Sequence, residues 1–166
     1  MNLDNYIEEK QKLYQLDNSQ DCPDNISQLW NEFFDKYNDV FRNSFYKLQE
    51  LTGKAFDIDL HDGMIQNFSQ KKSISEYTVS FQTTALLYEP HKTQEVGWVK
   101  MDVSFKTPEK IRDVANGYIY EFIISDSHLC LATTGIHKHK YKVVPYRDLK
   151  MNITDLTLYQ NKKMKP

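Results

Sequence analysis

The stretch DNISQLWNEFFDKYNDVFRNSFYKLQELTG, residues 24–53, decides the fold. Its large apolar side chains are Ile26, Trp30, Phe33, Tyr37, Phe41, Phe45 and Leu48, at gaps of four, three, four, four, four and three. That is the period of an α-helix, so all seven project from one side. Leu29, Phe34, Val40 and Leu51 widen the stripe, and Asn31, Asp35, Asn38, Asp39, Asn43 and Gln49 fall opposite. Asp24 or Asn25, after Pro23, offers a capping side chain, and Gly53 offers a left-handed stop. The spacing predicts one continuous helix about 40 Å long. So aromatic a face needs a broad apolar partner.

Before it, residues 2–16 read as a first helix. Leu3, Tyr6, Ile7, Leu13 and Tyr14 mark one face, and Glu8, Glu9, Lys10 and Lys12 mark the wet one. A polar connector spans 17–23.

After Gly53 the period changes to two. Phe56, Ile58 and Leu60 alternate with Asp57, Asp59 and His61. Asp62-Gly63 reads as a tight turn, with Met64, Ile65 and Phe68 on the returning strand and a polar break over 69–73. Residues 75–88 and 96–106 read as long strands around a loop at 89–94, where Pro90 cannot join a central ladder. Thr107-Pro108-Glu109 reads as the opening of a short helix over 108–115. Further strands are expected over 118–125, 129–134 and 137–144, and Leu149, Met151 and Ile153 extend the sheet. Helices first and strands afterwards is an α+β order. The expected architecture is a long amphipathic N-terminal helix on a curved antiparallel sheet of five to seven strands. One domain covers 1–166, helical over 1–53 and mainly strands over 54–160.

Composition narrows the class. A chain of 166 residues suffices for one domain with a real core. It has no run of 18 apolar residues, so no membrane span is expected. The polar, acidic start does not read as a leader, and the expected location is the cytoplasm. Cys22 and Cys130 read as free thiols rather than a disulfide framework. Residues 1–62 hold 6 Lys/Arg against 13 Asp/Glu, and residues 63–166 hold 15 against 10. Such a division can steer a charged partner.

Four constellations could carry chemistry. Asp57, Asp59 and His61 on one strand face are weak metal candidates, because a straight strand spreads them about 7 Å apart. His137, Lys138, His139, Lys140, Tyr141 and Lys142 form a basic stretch that could follow phosphates, with Tyr141, Tyr146 and Tyr159 stacking on bases. Cys130, between Leu129 and Leu131, reads as an inert buried thiol. Tyr88, Trp98, Lys100 and Asp102, at the ends and outer face of the long strands, form a candidate recognition patch for a partner.

The chain carries no Gly-x-Ser-x-Gly, His-Glu-x-x-His, Cys-x-x-Cys or phosphate-loop pattern, which weighs against an enzyme. No cofactor or metal is expected. The favoured expectation is a small protein-binding module, an inhibitor or neutralising partner of another protein. Nucleic-acid binding through the basic stretch is the second. A ligand pocket or hydrolytic site between the sheet and the long helix is the third, and it predicts a cavity with converging polar groups.

Overall fold

The computed structural model describes residues 3–54, 56–89, 93–112, 117–134 and 139–160. The fold is α+β with antiparallel sheets. Among the described residues three helices, α1 (Leu3–Asp17), α2 (Ile26–Lys36) and α3 (Asn38–Thr52), precede eight strands. These are β1 (Asp57–Asp59), β2 (Gln66–Ser73), β3 (Glu76–Tyr88), β4 (Glu95–Thr107), β5 (Ile119–Ile124), β6 (His128–Thr134), β7 (His139–Pro145) and β8 (Arg147–Leu158). Among the described residues no helix is long and apolar enough to cross a membrane. Cys22 and Cys130 are both free.

The expected single rod is two helices. Tyr37 breaks it, with φ −103° and ψ 15° in the bridge region. The break serves two cores. Phe33, Tyr37 and Val40 bury against α1 and the outer face of a small sheet, whereas Leu48 and Leu51 join the larger core between the sheets. Neither Asp24 nor Asn25 caps α2 as expected. Asn25 occupies the cap position without a side-chain bond, and the Ile26 amide donates to the Pro23 carbonyl instead. Gly53 does end α3, at φ 64°.

The strands form two sheets. In the larger, β4 lies between β3 and β8, and the far edge of β3 is shared by β1 and β2. The smaller is the meander β5-β6-β7. The large sheet is half-wet, so its strands alternate. Val79, Phe81, Thr83, Ala85 and Leu87 of β3 and Val99, Met101, Val103 and Phe105 of β4 are buried, while the residues between them reach the other face. At Gly97 the strands approach so closely that a Cβ would meet the Thr157 carbonyl oxygen at 2.2 Å.

The small sheet is covered on both faces. Phe122, Ile124, Leu129, Leu131 and Val144 face the large sheet. Ile123, Cys130 and Val143 face the helices, where Leu3, Tyr6, Ile7, Phe33, Tyr37 and Val40 meet them. The small sheet thus lies between the large sheet and the helix-side core, while α3 also packs against β1 and β8 of the large sheet.

Three further expectations are corrected. Asp62-Gly63 turns the chain, with the Gly63 amide donating to the Leu60 carbonyl, but not into a β1–β2 hairpin. Residues 62–65 instead bond to 117–119: Asp62 N to Ile119 O is 2.8 Å, Ile119 N to Gly63 O 2.8 Å and Ile65 N to Gly117 O 2.9 Å. The polar run 69–73 is not a break but the larger part of β2, an edge strand whose exposed Lys71 and Lys72 suit an edge. Residues 108–112 are not helical. Thr107 accepts from the Glu109 amide as a cap would. The next residues are then drawn away, because Gln70 clasps the backbone of buried Ile111 at 2.7 and 3.2 Å. The rest of that expected helix, 113–116, lies outside the described residues.

Candidate functional site

Among the described residues two places gather chemistry. Tyr88, Trp98, Lys100 and Asp102 all stand on the outer face of the large sheet. The register puts Leu86 beside Trp98, Thr84 beside Lys100 and Gln82 beside Asp102. The Lys100 ammonium lies 5.9 Å from the Trp98 ring centroid. Asp102 accepts a bond from Gln82 at 3.0 Å, and Gln82 accepts one from Asn67 at 2.6 Å, so Asp102 belongs to a cross-strand chain. Beside Trp98 lies a notch of about 260 Å³, lined by His61, Asp62, Gly63, Thr84, Ala85 and Leu86. Asp57 pairs in register with Tyr88, and Asp59 with Leu86, so β1 places two carboxylates along this end. Burial first, then the charges of Asp59 and Glu95, raises the Tyr88 phenol above its ordinary range.

The expected Asp57–Asp59–His61 face is corrected at its third member. β1 ends at Asp59, and His61 sits in the turn that follows. Asp57 accepts from Gln49 at 3.2 Å, and Asp59 from the His61 amide at 2.9 Å. Among the described residues no three His, Cys, Asp or Glu side chains gather as metal ligands.

In the basic stretch, His137 and Lys138 lie outside the described residues, as do the side chains of His139 and Lys140. Tyr141 is half-buried, its ring 6.2 Å from Tyr120 and packed against the helix-side core. Lys142 pairs with Glu109 at 3.1 Å. The Tyr146 hydroxyl donates to the Ser125 carbonyl at 2.5 Å, and that of Tyr159 to Glu95 at 2.8 Å. The three tyrosines expected to stack on bases are therefore engaged within the protein.

The second place lies where the third expectation put a cavity, between the long helix and the sheets, although of its polar residues only Asp59 and His61 were candidates in the sequence. A cavity of about 330 Å³ opens between α3, the turn after β1 and the start of β5. Phe41, Phe45, Leu48, Leu60 and Phe122 give it apolar walls, and Lys10, Asp59, His61, Tyr120 and Glu121 give it polar groups. Glu121, only 9% exposed, is the charge buried deepest among the described residues. Lys10 donates to it at 3.0 Å, and the fully buried Tyr6 hydroxyl donates to its other oxygen. Lys10 also reaches the Tyr6 oxygen at 3.3 Å and lies 5.1 Å from the Tyr120 ring centroid. Tyr6 and Lys10 are one helical turn apart and so share a face of α1. Lys10, expected on the wet face, is thereby drawn inward. Burial, then the Glu121 charge, then their hydrogen bond raises the Tyr6 phenol far above its ordinary value. Burial and Glu121 likewise raise Tyr141 and the Cys130 thiol, leaving that thiol un-nucleophilic at neutral pH.

One signal did exist. Glu121 is the sole charge in the run Ile119–Ile124, and such a residue needs a partner if both faces of its strand are covered. Comparison with known protein families, with curated proteins and with solved structures finds no match.

Proposed function

We propose that the chain is a small protein-binding module, acting as an inhibitor or neutralising partner, and that it docks through the Trp98 end of the large sheet. The observation that carries this reading is the outer face itself. Tyr88, Leu86 and Trp98 cluster there beside a notch, and the register of β1, β3 and β4 surrounds them with Asp57, Asp59 and Glu95, with Asp62 lining the notch. Lys100 is the basic side chain in their midst. Aromatic anchors inside a charged rim are the usual makings of a binding hot spot. An acidic rim calls for a basic partner, so the occupant is a polypeptide presenting a lysine- or arginine-bearing loop. The engaged tyrosines give the nucleic-acid reading no comparable support.

The test compares wild type with a Tyr88→Ala/Trp98→Ala double variant. Both are used to capture protein from the cells that encode the chain, and the captured partner is then purified and titrated. The reading expects a partner with a basic contact surface, bound at least about tenfold more weakly by the variant. Circular dichroism and the melting temperature should match between the two. Equal affinities would overturn the assignment of the face. A homodimer that the variant disrupts would replace the foreign partner with a second copy.

A further inference from the structure

The cavity over the start of β5 carries an inference that rests on Lys10, Tyr120 and Glu121, side chains that take no part in the outer face. Its polar groups depend on a bulge. Ile119 pairs with Thr133 and Glu121 with Ala132, so Tyr120 is an extra residue opposite a single step of β6. Strict alternation would send Glu121 to the same side as Ile119, into the core between the sheets. Past the bulge, Phe122 and Ile124 take that side, while Ile123 joins the helix-side core and Glu121 meets Lys10 of α1. Tyr120 and Glu121 consequently both line the cavity. A bulge that re-aims two polar side chains into one hollow is a recurring device at binding sites.

The donor arrangement is specific. An ammonium has three N–H donors. Lys10 gives one to Glu121 and reaches Tyr6 with a second. Among the described residues no third acceptor lies within hydrogen-bonding distance. The charges of Lys10 and Glu121 cancel, so a charged ligand entering here would lose water without gaining a free counter-charge. Asp59 further disfavours an anion. Lys10, already 5.1 Å from the centre of the Tyr120 ring, disfavours a cation. The walls are aromatic and aliphatic, and about 330 Å³ is at the small end of ligand pockets.

We propose that this cavity binds a neutral small molecule with a compact, single-ring apolar body and one carbonyl acceptor. The body packs against Phe41 and Phe45, and the carbonyl accepts from Lys10.

Three probes share a body and differ in the head: phenylacetamide, phenylacetate and phenethylamine. Each is titrated into the full-length protein, with amide shifts followed by two-dimensional NMR. Phenylacetamide should shift Ser44, Phe45, Tyr120 and Glu121 saturably, and the two charged probes should bind at least about fivefold more weakly. Phe45→Ala removes part of the wall at a residue already 41% exposed. It should melt like wild type and lose at least about fivefold in affinity for phenylacetamide. Absence of saturable shifts at those amides, phenylacetate binding as tightly as the amide, or unchanged affinity in Phe45→Ala would each overturn the proposal.

Discussion

β4 and β5 show what a charged residue means in two kinds of sheet. β4 carries Lys100, Asp102 and Lys106 at every second or fourth position, and all three reach the outer face while Val99, Met101, Val103 and Phe105 fill the core. Their charges stay in contact with water in the folded chain. β5 carries a single charge, Glu121, and both faces of its sheet are covered. That carboxylate must find its partners inside the protein, and it takes Lys10 and Tyr6 from α1. A charge on a half-wet strand therefore says little about structure, whereas one on a doubly covered strand fixes what packs over it.

The largest expected effect comes from breaking the buried pair. Lys10→Met leaves Glu121 without its cation and should cost about 3–5 kcal/mol in urea unfolding. Lys10→Met combined with Glu121→Leu removes the orphaned charge, and most of that loss should return. If the double variant is as unstable as the single one, the packing of the Lys10 stem matters more than the charge.

This contrast also marks how far the sequence could be read. β4 was legible almost to the residue, since 96–106 was expected and Glu95–Thr107 is found. One covered face gives a clean period of two. The helical period of 24–53 was equally legible, but the break at Tyr37 was not. α2 and α3 keep their apolar residues in phase, and the reason for the break lies in two cores that only the folded chain has. The division of the strands into two sheets was hidden for a similar reason. β1 and β2 follow each other in sequence, yet both pair with β3. Strand alternation put Trp98, Lys100 and Asp102 on one face with Tyr88 across the loop, and in the register of β3 and β4 all four stand on the outer face. A cavity between helix and sheets was expected, but its polar centre was not legible, because it joins Lys10 to Glu121 across 111 positions through a bulge that no local pattern announces.

A smaller effect distinguishes the covered sheet from the half-wet one by titration. Cys130 is fully buried against the helices, and burial, then the Glu121 charge, holds its thiol above the ordinary 9.0. The unfolded chain releases that proton near pH 9, and the folded chain keeps it. Above that pH the unfolded state binds fewer protons, so stability falls as pH rises, by about 1.4 kcal/mol per pH unit for this group. Cys130→Ala should lower stability slightly at neutral pH but give a shallower alkaline decline. Parallel declines in the two proteins would mean that the thiol titrates alike when folded and unfolded.

The smallest expected effect comes from making the same substitution, lysine to methionine, on the half-wet sheet. Lys100 faces outward on β4, with Asp155 beside it in register and the Trp98 ring 5.9 Å away. Its ammonium is hydrated before and after folding, so Lys100→Met should change stability by no more than about 0.5 kcal/mol. Measured at two protein concentrations, this variant sharpens the comparison further. A cost that stays small at both would leave the outer face wet in the isolated chain, as a surface awaiting a partner requires. A cost that approaches that of Lys10→Met as concentration rises would mean that a second copy covers the face. Lys100 would then be buried by association as Lys10 is by folding, and the difference between the two strands would lie in what covers them rather than in their residues.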